Sequence, residues 1–104
     1  MKTQIITALL LLSTATSVLA ADNQAKDVFT AKCGICHGAD GAGKTAIGKN
    51  LKIRDFHLPD VQKQSDADLR EIILNGKNKM PAFKGKVTEA QVNDLVAYVR
   101  TLGK

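Results

Sequence analysis

The sequence is poor in the residues that usually build a protein core. Among its 104 residues there is no tryptophan, one tyrosine and three phenylalanines. A chain this short buries a limited share of its surface and commonly relies on a staple or a cofactor. Something besides side chains is therefore expected to fill the middle. There is no internal repeat and no low-complexity tract. The formal charge is +5, but the lysines are dispersed, with no block of like charge and no aromatic interleaving. That pattern excludes nucleic acid as a partner. Beyond the N-terminus no run is apolar enough to cross a bilayer, for which about 20 such residues are needed.

The N-terminus reads as an export signal. Lys2 gives the positive start, Ile5 through Leu12 the apolar run, and Val18-Leu19-Ala20 the small-residue end. Cleavage is expected after about Ala20, leaving residues 21–104 as one domain. Thr7, Ser13, Thr14, Thr16 and Ser17 dilute the segment as a membrane anchor, and no cysteine follows it for lipid attachment. A soluble, exported, periplasmic protein without stable membrane insertion is implied.

The only cysteines stand in Cys33-Gly34-Ile35-Cys36-His37. A redox-active dithiol needs a strand–helix context, and no strand pattern surrounds this segment. A zinc site built from Cys33, Cys36, His37 and His57 has the wrong spacing. The C-x-x-C-H run is the signature of c-type haem attachment. One helical turn separates the thiols, so each reaches a different haem vinyl group, while the adjacent imidazole projects at the iron from the same face. Cys33 and Cys36 are thus the expected thioether positions, and His37 one axial ligand.

Once the leader is gone, one methionine remains, Met80 in Lys79-Met80-Pro81-Ala82-Phe83. Pro81 biases Met80 away from helix, so it is expected on an irregular loop. A gap-filling apolar role is the plain alternative. With a haem present and no rival thioether, Met80 becomes the second axial ligand, a combination that closes the iron's coordination and raises its potential.

Three helices are expected. The first runs from about Asn23 to Cys36, capped by Asp22 or Asn23, with Ala25, Val28, Phe29, Lys32, Cys33 and Cys36 on one face. The second starts at the N-cap Ser65, carries Asp66 and Asp68 in its first turn, buries Leu69, Ile72 and Ile73, and ends at Gly76 as a left-handed cap. The third has a capping box, Thr88 with Gln91, and a Val87–Val92 staple, followed by a Val92, Leu95, Val96, Val99, Leu102 stripe and a Gly103 cap. Between the first two lies a long loop from Gly38 to Gln64, whose Ile47, Leu51, Ile53, Phe56 and Leu58 could cover a haem edge. Gly38 through Thr45 also meets the spacing of a phosphate-binding loop, but no strand precedes it, and the match is read as coincidence.

Phe29 four residues before Cys33, the Leu95-Val96-Ala97-Tyr98-Val99 run and Met80-Pro81-Ala82-Phe83 together resemble a small bacterial class I c-type cytochrome over the whole mature chain. The resemblance implies an all-α cytochrome c fold, with three main helices and a long loop wrapped around one covalently bound haem. It implies haem c thioethers at Cys33 and Cys36, His37 and Met80 as axial ligands, and Leu95 and Tyr98 packing across the first helix. Ala25 stands where many members have glycine, and without tryptophan the haem propionates must look to Arg54, Lys49, Lys52 or His57.

The expected function is that of a monomeric periplasmic electron carrier, not an enzyme. Lys77, Lys79, Lys84 and Lys86 flank the Met80 loop and would steer it to redox partner proteins with acidic docking surfaces. Two alternatives stand beside this: a ligand-binding or peroxidase-type haem protein in which Met80 dissociates, and a haem subunit of a larger oxidoreductase.

Overall fold

In the computed structural model, residues 16–104 are described, and they are helical without a strand. The segments are α1 (Thr16–Lys32), α2 (Gly34–His37), α3 (Ala46–Asn50), α4 (Pro59–Gln62), α5 (Asp66–Asn75) and α6 (Glu89–Leu102). Most of the expected leader, residues 1–20, lies outside the described residues.

The all-α expectation holds, and its clearest element is α6. The Thr88 hydroxyl accepts from the Gln91 N–H at 3.1 Å, and the Gln91 side chain accepts from the Thr88 N–H at 2.9 Å. Two donors that the helix start would leave unpaired are satisfied reciprocally. Val87 and Val92, on either side of this box, are both buried. The stripe Val92, Leu95, Val96 and Val99 is buried as the period demands. Its partner is α1, whose Phe29 joins Leu95, Val96 and Val99 in one cluster and brings its ring to 5.1 Å from that of Tyr98. Full burial of such a ring is worth about 1.5–3 kcal/mol. Ala25 is buried on the same helix, so the methyl that a glycine would lack is accommodated.

Helix α5 begins at Ser65, whose hydroxyl accepts from the Asp68 N–H at 3.1 Å. Arg70 reaches from it to Asn93 and Glu89, and Arg100 reaches back from α6 to Asp66 at 2.9 Å and to the Gln62 carbonyl at 2.8 Å. These contacts fix the register of α5 on α6. Gly76 ends α5 as expected, but with φ 76° and ψ 171°, outside the left-handed helical region and in one open essentially to glycine.

Three further details differ from the sequence reading. The first helix is already formed at Thr16, upstream of the Asn23 start expected, because nothing between Ser17 and Asn23 interrupts a helix and Asp22 and Asn23 are carried inside it. It also breaks at Cys33, where φ is −116°, so the C-x-x-C-H run is split between the end of α1 and the single turn α2. The long loop is not structureless either. Thr45 caps α3, Pro59 opens α4 at a position where its missing N–H costs nothing, and the Gln62 amide donates to the carbonyls of Phe56 (2.7 Å) and Val99 (2.9 Å). That last pair ties the loop to α6.

Candidate haem site

The break at Cys33 leaves helical hydrogen bonding nearly intact on both sides. The Cys33 N–H donates to the Phe29 carbonyl at 2.8 Å, and the His37 N–H to the Cys33 carbonyl at 2.9 Å. Both thiols are half-buried. Burial pushes the Cys33 thiol up to about 11, with Lys32 drawing it back and Cys36 adding to the rise. An exchange-active dithiol takes the opposite shift and a strand–helix setting, and among the described residues no strand precedes this pair.

The loop after α2 folds back to hold the motif. The Thr45 hydroxyl donates to the Ile35 carbonyl at 2.9 Å while accepting from the Gly48 N–H at 2.9 Å. The Gly43 N–H donates to the His37 carbonyl at 2.7 Å. Gly48 sits so close that a β-carbon there would lie 2.5 Å from the Cys36 carbonyl oxygen. The string that imitates a phosphate-binding loop therefore serves as a clasp around Cys36 and His37.

His37 packs against aromatic rings, with Phe56 at 4.6 Å and Phe29 at 6.4 Å between centroids. Burial lowers its pKa below the usual 6.5, which keeps the imidazole neutral at pH 7 with a lone pair to give. Its Nδ1 is buried without a hydrogen-bond partner. His57, the fourth residue of the zinc set considered above, is engaged elsewhere, 2.6 Å from the Asp55 carboxylate.

Met80 closes a tight turn. Its N–H donates to the Lys77 carbonyl at 2.9 Å and its carbonyl accepts from the Lys77 N–H at 3.2 Å, with Asn78 at φ 54° between them. Asparagine tolerates that left-handed conformation better than most residues. After Pro81, the Phe83 and Lys84 N–H groups donate to the carbonyls of Ile73 and Leu74 at the end of α5. The loop is pinned to α5 at both ends.

Cys33, Cys36, His37 and Met80 all line one cavity of about 510 Å³. Leu69, Ile72 and Ile73 of α5 form an apolar wall, joined by Phe56 and Val61 from the loop and Phe83 beyond Met80. Sequence reasoning placed Phe56 near a haem edge but missed its packing on His37, and it missed Thr45 as an anchor. The second had a visible signal, a threonine two residues after a glycine at the start of a short helical stretch.

The sequence profile of the family described as "Cytochrome C oxidase, cbb3-type, subunit III" matches residues 20–99. The chain is 40% identical to cytochrome c6 of Nostoc sp. (strain PCC 7120 / SAG 25.82 / UTEX 2576), over 83% of its own length and 74% of that protein. The chain belongs to the class I c-type cytochromes. Another relative, cytochrome c6 of Thermosynechococcus vestitus (strain NIES-2133 / IAM M-273 / BP-1), is 36% identical over 86% of this cytochrome and 79% of its own chain. Among solved structures, the KustC0563 c-type cytochrome superposes with a TM-score of 0.71 at 35% identity, covering 77% of the present chain and 98% of that one.

Membership brings a covalently bound haem c, and the residues here fit one. The cavity is apolar, as a porphyrin face requires, and it has two thiols at the attachment spacing. It also has a neutral histidine with an unpartnered ring nitrogen. Among the described residues no three His, Cys, Asp or Glu side chains gather into a bare metal site. A porphyrin, which brings four nitrogen donors of its own, suits this donor set better than a naked ion does.

Proposed function

We propose that this cytochrome is an exported one-electron carrier whose haem is bound through thioethers from Cys33 and Cys36 and ligated by His37 and Met80. The observation that carries the reading is the convergence of these four side chains, from two distant segments, on one apolar cavity. The haem supplies the chemistry, an Fe(III)/Fe(II) couple. The chain's own residues hold and insulate it. Thr45 and Gly43 fix the carbonyls of Ile35 and His37, and Phe56 restrains the imidazole. The turn at Asn78 sets the Met80 backbone, and the α5 stripe excludes water. With His37 and Met80 both holding the iron, the site would favour electron transfer over ligand activation. Reduced native protein should pass electrons rapidly without binding carbon monoxide. Carbon monoxide binding or peroxide turnover would instead support the reading in which Met80 dissociates.

Export to the periplasm, with cleavage after about Ala20, is supported by the leader pattern. Among the described residues no helix is long and apolar enough to cross a membrane. A monomer that meets acidic partner surfaces is the form proposed for the carrier. Lys77 and Lys79 line the cavity rim, whereas Lys86 lies 5.8 Å over the Phe83 ring. Steering by these lysines would make electron-transfer rates fall with ionic strength, and flat rates would remove it. The matched family, a subunit of cytochrome c oxidase, favours a second reading, a haem subunit docked on a larger oxidoreductase, which copurification with a large partner would support.

A further inference from the structure

The cavity rim carries five cations, Lys32, Lys52, Arg54, Lys77 and Lys79, and no carboxylate. Among the described residues none of the five takes part in an ion pair. The other two arginines, Arg70 and Arg100, each hold a carboxylate, those of Glu89 and Asp66. Arg54 is not paired with its neighbour Asp55, whose carboxylate instead accepts from the His57 N–H at 2.9 Å and faces the His57 ring at 2.6 Å.

The backbone that presents Lys52 and Arg54 is held firmly. Lys52 has φ 56°, a left-handed conformation uncommon for a residue with a side chain. The Ile53 N–H donates to the Gly48 carbonyl and the Phe56 N–H to the Gly41 carbonyl, both at 2.9 Å. Gly43 backs so closely onto this segment that a β-carbon there would lie 2.8 Å from the Ile53 carbonyl oxygen. The same loop that clasps His37 thus fixes a lysine and an arginine two residues apart on the cavity rim.

We propose that Lys52 and Arg54 are the anion-binding edge of this site and bind the two propionate carboxylates of the haem. The assignment rests on the haem reading above. Arg54 offers the planar fork that matches a carboxylate, and Lys52 a point charge beside it. It selects among the four residues that the sequence left open, because Lys49 and His57 do not line the cavity. Lys77 and Lys79, on the Met80 turn, are left to face partners.

The test compares the mature holoprotein with Lys52→Gln/Arg54→Gln and with a charge-matched control outside the cavity lining, Lys49→Gln/Lys63→Gln. Its readouts are the pH dependence of the reduction potential and the propionate vibrations in resonance Raman spectra. A neighbouring cation favours the ionised carboxylate, so removing it should raise the pH of the propionate-linked inflection by about one unit. The propionate modes should shift as well, and Arg54→Lys in place of Arg54→Gln should restore part of both effects. The control should leave both readouts in place. An unchanged inflection and unchanged modes in Lys52→Gln/Arg54→Gln, or equal changes in the control, would overturn the assignment. A parent protein that carried no haem c would be a separate failure, that of the site reading itself.

Discussion

A β-carbon placed on Gly76 would lie 2.5 Å from the carbonyl oxygen of Met80. The end of α5 and the turn that presents Met80 are thus in backbone contact, and the proposed axial ligand is positioned by a residue four places upstream. Gly76 also sits at φ 76° and ψ 171°. Gly76→Ala should therefore displace the turn and add backbone strain of about 1–3 kcal/mol. The expected result is a weakened iron–thioether absorption together with a lower denaturation midpoint. Equal destabilisation with an unaltered band would mean that Gly76 shapes α5 alone.

Phe56 packs on both His37 and Phe29, with ring centroids at 4.6 and 6.1 Å. Removing a buried phenylalanine ring costs about 3–5 kcal/mol. Because Phe56 is only half-buried, Phe56→Ala should cost about 2 kcal/mol in urea denaturation. The His37 imidazole would also gain freedom, which broadened axial-histidine resonances in the NMR spectrum would reveal.

The Thr88–Gln91 box lies at the start of α6, away from the cavity. Thr88→Ala should cost about 1 kcal/mol. It should leave the visible spectrum and the reduction potential as they are. A changed potential would show that α6 is coupled to the site more tightly than its packing suggests.

Burial depresses the pKa of His37 below 6.5, so the unfolded chain binds the proton more readily than the folded one. The stability that depends on a neutral His37 is complete above about pH 6.5 and is lost as pH falls through the lower folded value. The proposed ligation of iron by the same neutral imidazole would act in the same direction. Denaturation midpoints should fall between pH 7 and pH 5, and a midpoint that rose over that interval would contradict the assignment.

How much of this was legible in the sequence depends on the range of each signal. The capping box of α6, the Ser65 cap of α5 and the removal of Met80 from a helix by Pro81 are all written within a few residues, and each appears where expected. The C-x-x-C-H run is equally local. The interruption at Cys33 and the upstream start of α1 escape a periodicity reading, since the apolar face continues across the break and the leader residues tolerate helix. Helices α3 and α4 are too short to show a period. Beyond their local starts at Thr45 and Pro59, they are anchored by Thr45 bonding to Ile35 and Gln62 to Val99, partners that only the folded chain brings near. Phe56 against His37 is of the same kind, a contact between residues 19 apart that no local pattern encodes.

The visible spectrum of the oxidised protein, exported and matured in a host that attaches haem c, tests the central claim most directly when compared with that of Met80→Ala. Both proteins should be coloured, with an iron–thioether band in the parent that disappears in the variant. A folded but colourless parent, or a band that survives the loss of Met80, would contradict a haem held between His37 and Met80.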